Sequence, residues 1–144
     1  LEVAGKAGIE TINPAKKDLK QSILEYFGPD RADVIFECVG INETINQAIE
    51  YARKGSYIVV VGVFGDLANI NAALIQDHEL TLLGTAMYRV EDYKKAIELA
   101  EAGLIKFDLL ITDHIPFTEY QRAYQIIDEQ KDKAMKVIIV MDEE

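Results

Sequence analysis

The sequence holds a single cysteine, Cys38. One cysteine can form no internal disulfide and no multi-cysteine zinc site, and a reducing cytosol is the compartment it suits, so a cytoplasmic location is expected. A glycine-rich phosphate turn is also missing. The glycines stand at 5, 8, 28, 40, 55, 62, 65, 84 and 103; no three have the G-x-G-x-x-G spacing, and G-x-x-x-x-G-K-[ST] does not occur. Positive charge is scarce: 15 basic against 25 acidic residues leave a net charge of −10. That balance argues against nucleic acid and anionic membranes as partners, since both require a basic face. No apolar run approaches the ~20 residues of a membrane span. No low-complexity tract, charge block or Pro/Gly-rich linker divides the chain. The opening Leu1-Glu2-Val3-Ala4 is not an initiator sequence and reads as helix interior, so a portion of a longer polypeptide is expected.

What the sequence does have is 49% hydrophobic residues over 144 positions, enough for a real core; a chain of this size buries about 68–70% of its unfolded surface. The order is a beat of strands and helices. Residues 1–7 read as a helix tail stopped at Gly8, residues 10–13 as a short strand before Pro14, and residues 18–27 as a helix with Leu19, Ile23, Leu24 and Phe27 on one face. Residues 34–38 are the first strong strand. A helix follows, capped by Asn42, striped by Ile45, Ala48, Ile49 and Ala52, and ended by Gly55. Residues 57–61 and 80–83 are further strands, with a short strand at Asn69, Ile70 and Asn71 and a brief helix between them. The strand centres recur at roughly 23–24 residues, a comfortable βαβ repeat, and such alternation predicts a parallel sheet with helices on both faces. After Gly84 come a helix over 91–102 with Tyr93, Ala96, Ile97 and Ala100 inward, an extended segment at 109–115, a helix started by Phe117-Thr118-Glu119 that carries Tyr120, Ala123, Tyr124 and Ile127, and a last strand at 137–140. This second part reads as α+β.

Gly40, Gly62 and Gly84 each close an apolar strand. In a parallel sheet those ends line the crevice where ligands sit, and glycine there lets backbone amides approach a flat ring or a ribose. The plainer alternative is three strand-to-helix turns. Glu37 ends a strand but has no glycine-rich turn about 20 residues before it, and reads as a packed or capping carboxylate. His78, in Gln76-Asp77-His78-Glu79, reads as part of a solvated turn rather than a metal string. His114 reads as a structural hydrogen-bonding residue, and its neighbour Asp113 points to the opposite face of the strand. Cys38 reads as a small packed side chain rather than a thiolate. Arg89 could meet a cofactor phosphate or a surface carboxylate. No catalytic and no metal-ligating residue is assigned.

The string Asp33-Val34-Ile35-Phe36-Glu37-Cys38-Val39-Gly40 resembles the zinc-dependent medium-chain alcohol dehydrogenases, particularly the sorbitol and threonine dehydrogenase branch. Val60-Val61-Gly62-Val63-Phe64-Gly65 is similar to their next cofactor strand and Glu79-Leu80-Thr81-Leu82-Leu83-Gly84-Thr85 to their last. Leu110-Ile111-Thr112-Asp113-His114-Ile115-Pro116-Phe117 resembles their return into the catalytic domain, and Lys136-Val137-Ile138-Ile139-Val140 a strand beyond it; Ile12-Asn13-Pro14 also fits. The resemblance implies a partial Rossmann-type sheet, with residues 1–86 the C-terminal half of a dinucleotide-binding domain and 87–144 a C-terminal α+β portion of the catalytic domain. It implies NAD or NADP as cofactor, with Cys38, Val39 and Gly40 passing its adenosine and nicotinamide-ribose side. Val61, Gly62 and Val63 with Thr85, Ala86 and Met87 would face the nicotinamide carboxamide. It implies hydride transfer from a secondary alcohol or polyol, a zinc ion acting as Lewis acid, and a homodimer or tetramer paired through an edge strand, for which Asn69, Ile70 and Asn71 are the candidates. The family's zinc ligands, proton relay and glycine-rich turn lie upstream of the matched region, so residues 1–144 alone are expected to be inactive. Two other readings stay open: part of a zinc-free quinone or enoyl reductase, and a non-catalytic nucleotide-binding or interaction module.

Overall fold

A computed structural model of the chain describes residues 1–131 and 133–141. In chain order its elements are α1 (Glu2–Lys6), α2 (Leu19–Phe27), β1 (Ala32–Glu37), α3 (Asn42–Tyr51), β2 (Ala52–Val60), α4 (Ala72–Asp77), β3 (Thr81–Gly84), α5 (Val90–Glu101), α6 (Phe107–Leu110), β4 (Ile111–Pro116), a 3-10 turn (Phe117–Glu119), α7 (Tyr120–Gln130) and β5 (Lys136–Val140). By packing they form two compact units: Ile12–Tyr88, and Leu1–Thr11 together with Arg89–Glu144. No helix of the described residues is long and apolar enough to cross a membrane.

In the unit Ile12–Tyr88 the alternation of strands and helices produces the expected parallel sheet, ordered β1-β2-β3. Ile35 pairs with Ile58 and Ile58 with Leu82, so one apolar row crosses all three strands. The stripe of α3 lies on that row: Ile45, Ala48 and Ile49 are buried with Ala52, Ile58 and Leu80, and Leu74 and Ile75 of α4 complete the cluster. Ile49 and Ile58 are 0% exposed, and burying each side chain fully contributes about 1.5–3 kcal/mol. The expected helix cover is met on this face. On the opposite face Val34, Phe36, Tyr57 and Leu83 are exposed, Phe36 by 64%.

Several local expectations are corrected. Residues 10–13 form no strand, because the sheet begins at β1 and a strand exists only through its ladder partner. Asn42 does not cap α3. It is the first helical residue, and its side chain instead accepts from the Asn69 N–H at 2.8 Å. α3 ends at Tyr51 and the chain turns directly into β2, leaving Gly55 inside the strand at φ 75°. Asn69, Ile70 and Asn71 are not a strand. Their backbone is held by asparagine side chains of α3: Asn46 donates to the Asn69 carbonyl at 2.7 Å and accepts from the Asn71 N–H at 3.1 Å. The Asn71 side chain in turn caps α4. These residues are therefore no strand of the sheet, whose end strand on this side is β3.

In the other unit β4 and β5 pair in parallel, His114 opposite Ile138, and their core is Ile115, Ala123 and Ile126 with Ala134 and Val137. The segment expected to be extended from 109 opens instead on the helical turn α6. On α7 Ala123 and Ile126 are buried, while Tyr124 and Ile127 are exposed. Tyr93 and Ile97 of α5, expected inward, are also exposed; the 3.6-residue period fixes a stripe, not what covers it. Residues 142–144, the end of the expected catalytic-domain portion, lie outside the described residues.

Candidate functional site

Because all three strands of the first sheet run parallel, the segments that follow them emerge at one end. Residues 38–40 follow β1, 61–63 follow β2 and 85–87 follow β3. The structure joins them. The Glu37 carbonyl accepts from the N–H groups of Val61 and Gly62 at 2.8 and 2.9 Å. The Val60 carbonyl accepts from the Thr85 N–H at 3.1 Å and the Thr85 hydroxyl at 3.0 Å. The three turns are thus tied in sequence across the carboxyl edge of the sheet.

Glu37 is the centre of this arrangement. It is 3% exposed, and its Oε1 accepts three hydrogen bonds, from Val39 N–H and Gly40 N–H at 2.9 Å each and from the Thr44 hydroxyl at 2.7 Å. Burial pushes its pKa up, but the hydrogen bonds from Gly40, Thr44 and Val39 outweigh burial and hold the carboxyl below its ordinary range. It is accordingly an anion at neutral pH and no proton carrier. Its Oε2 is buried and has no hydrogen-bond partner among the described residues.

The glycines at this edge have physical reasons other than the one expected. Gly40 adopts φ 81°, and a Cβ there would lie 2.7 Å from the Val63 carbonyl carbon. A Cβ on Gly62 would lie 2.6 Å from Glu37 Oε2 and 2.7 Å from Gly40 Cα. Both positions are glycine because the chain packs against itself. Gly84 is different: a Cβ there would meet nothing within 4 Å. Nor are the amides offered outward, since those of Val39, Gly40, Val61, Gly62 and Thr85 all donate within the chain. A ligand at this edge would meet carbonyls and side chains instead.

Those side chains face solvent. Cys38, Val39, Val61, Val63, Ala86 and Met87 are exposed or half-buried, Val63 by 90%. Beside Cys38 and Val39, between α2, β1 and α3, lies an apolar pocket of about 250 Å³ floored by Ile35 and Ala48 and walled by Leu19, Ile23 and Tyr51. The edge therefore presents an apolar surface beside backbone carbonyls.

None of the remaining chemical candidates lies on these three turns. His78 lies in the turn that ends α4, as expected, but its side chain is only 15% exposed, with Nε2 3.7 Å from Asp77 Oδ2. His114 is exposed on β4 in the other unit. The Arg89 backbone N–H donates to Asp92 Oδ2 at 2.7 Å, opening α5. Among the described residues no three His, Cys, Asp or Glu side chains converge, so the described residues offer no donor set that fits a zinc ion. Thr44 and the Asn42–Asn46 pair were missed from sequence. The available signal was the Glu37-x-x-Gly40-x-x-x-Thr44 spacing, an acid closing an apolar strand with a hydroxyl just inside the next helix.

Comparison with known proteins agrees with this fold. Residues 1–102 match the zinc-binding dehydrogenase family. The chain is 29% identical over 123 residues to sorbitol dehydrogenase 1 of Saccharomyces cerevisiae, covering 85% of this chain and 34% of that protein. It is 31% identical over 142 residues to erythritol/L-threitol dehydrogenase of Mycolicibacterium smegmatis, covering 97% of this chain and 39% of that protein. A zinc-binding dehydrogenase of Sinorhizobium meliloti solved with NADP superposes with a TM-score of 0.79 at 26% identity, over 97% of this chain and 42% of that one. The chain therefore spans between a third and two fifths of the length of these curated relatives. It belongs to the zinc-binding dehydrogenase family.

Proposed function

We propose that residues 1–144 are part of an NAD- or NADP-dependent alcohol or polyol dehydrogenase, in which they supply one wall of the cofactor site. The observation that carries this reading is the joined carboxyl edge, where the turns at Gly40, Gly62 and Thr85 are tied through Glu37 and Val60. That is the edge at which open α/β sheets bind ligands, and the relatives named sorbitol and erythritol/L-threitol dehydrogenase, with the NADP-bound structure, support the cofactor class and the substrate class. Cys38, Val39 and Gly40 would flank the adenosine and nicotinamide-ribose side, and Val61, Gly62, Val63, Thr85, Ala86 and Met87 the carboxamide. When bound, a nicotinamide cofactor supplies the hydride acceptor or donor. The residues of this chain orient it and exclude water from one side.

Residues 1–86 would belong to the cofactor domain and 87–144 to the catalytic domain; the break between compact units after Tyr88 supports the second boundary, while Leu1–Thr11 pack in the unit of Arg89–Glu144 and not in that of Ile12–Tyr88. Copies would pair through the outer edge of β3, the end strand of the sheet, and a cytoplasmic setting fits the single Cys38. A dehydrogenase assay with sorbitol, threonine and simple alcohols tests the whole reading. The full-length polypeptide is expected to turn over at least one of them with NAD or NADP, and no turnover with any alcohol, aldehyde or ketone would sink it. Residues 1–144 alone are expected to be inactive and to bind NADH weakly by calorimetry; turnover by this segment would refute the division of labour.

A further inference from the structure

We infer that Glu37 is a positioning residue for the cofactor wall, clasping the Cys38-Val39-Gly40 turn to the Gly62-Val63 turn so that the wall is formed before a cofactor arrives. The inference rests on the reading of these turns as that wall. Glu37 stands at the end of β1, in register with Val60 of β2, on the helix-covered face where Ile35 is its neighbour. An apolar side chain would fill such a position without desolvating a charge. The carboxylate achieves something an apolar residue cannot: one oxygen gathers two successive backbone amides of the turn and the Thr44 hydroxyl at the start of α3. Hydrogen bonds to an ionised acceptor are short and direction-specific, so the turn has one conformation.

The same residue also holds the second turn through its backbone. Its backbone carbonyl takes the Val61 and Gly62 amides, and its Oε2 lies against Gly62 where a Cβ would come within 2.6 Å. That oxygen is buried and has no hydrogen-bond partner among the described residues. Its place is set by the closeness of the two turns. A cofactor meeting them would find Cys38, Val39 and Val63 already held at fixed spacing, and loosening a preorganised site by even about 1 Å costs binding or rate steeply.

The test is steady-state kinetics of the full-length dehydrogenase with Glu37→Gln, Glu37→Ala and Thr44→Val. The amide oxygen of Glu37→Gln can keep the three hydrogen bonds but without charge, and its nitrogen has no acceptor at the Oε2 position. Thr44→Val removes one bond and leaves the carboxylate in place. The cofactor KM is expected to rise by roughly tenfold in Glu37→Ala and less in the other two, with kcat and the alcohol KM within about twofold, the pattern of a lost uniform binding contribution. A merely structural role would lower Tm and the active fraction without moving the cofactor KM of the folded enzyme, and that result overturns the proposal. If Glu37→Ala does not fold, the same criterion applies to Glu37→Gln and Thr44→Val. A wild-type enzyme with no nicotinamide-dependent turnover fails the functional reading itself; a wild type that turns over, with variants unchanged in cofactor KM, fails the clasp alone.

Discussion

Gly40 and Gly62 stand so close that a Cβ on Gly62 would lie 2.7 Å from Gly40 Cα. The obstacle is backbone, which cannot rotate away as a flexible side chain would. Gly62→Ala is therefore expected to destabilise the protein by about 1–3 kcal/mol or more, as overpacking does. Gly40→Ala adds a second penalty, because φ 81° is left-handed and costs an L-residue roughly 1–2 kcal/mol. Gly103→Ala is the control: it shares a positive φ of 67°, but a Cβ there meets nothing within 4 Å. Urea unfolding should rank Gly40→Ala well below Gly103→Ala, and equal midpoints would contradict the packing described.

The covered and open faces of the first sheet should respond differently to truncation. Ile58→Ala empties a fully buried position at the centre of the Ile35–Ile58–Leu82 row and is expected to cost about 2–5 kcal/mol. Val34→Ala, on the exposed face, should cost well under half as much. Denaturant midpoints of the two variants check this directly.

The asparagine ladder between α3 and residues 69–71 is predicted to be a local device. Asn46→Ala removes a donor to the Asn69 carbonyl and an acceptor for the Asn71 N–H, and should cost about 1 kcal/mol, the net worth of one or two such bonds. Amide hydrogen exchange at Asn71 should accelerate, while exchange in β2 is unchanged. Acceleration spread evenly through the sheet would show that the ladder supports the whole unit.

The acid limb of stability should carry a contribution from Glu37. Its carboxyl is held below the ordinary 4.5: burial raises it, and the bonds from Gly40, Thr44 and Val39 lower it further than burial raises it. A depressed folded-state pKa contributes stability that is present above the unfolded value and lost as pH falls through the folded one. Wild type should therefore lose stability relative to Glu37→Gln as pH drops below about 4.5, so the gap between them narrows. A gap that stays constant from pH 7 to pH 3 would show that Glu37 is not the titrating group.

Much of this was legible in the sequence because it depends on local chemistry. The strands over 34–38, 57–61 and 80–83 announce themselves by short apolar runs closed by a glycine, and they form the parallel sheet found. The turns after them could be named residue by residue, and Glu37 read correctly as a packed or capping carboxylate. The failures have a common cause. Residues 10–13 have strand composition but no ladder partner. Asn42 has the chemistry of a cap, but its side chain was claimed by Asn69. Tyr93 and Ile97 keep helical spacing, yet no period states which element covers a stripe.

By itself the sequence determined the alternation of elements, the glycines that close the strands and the absence of a phosphate turn. These follow from backbone propensity, spacing and residue inventory, which are properties of a linear chain. Only the tertiary structure decided that Gly40 and Gly62 are glycine to admit each other's turns, that five amides at that edge are already used, and that one buried carboxylate holds the edge together. Those facts depend on groups brought within hydrogen-bond distance across gaps of up to 25 residues, Thr85 to Val60 among them, and such distances exist only once the sheet has set its register.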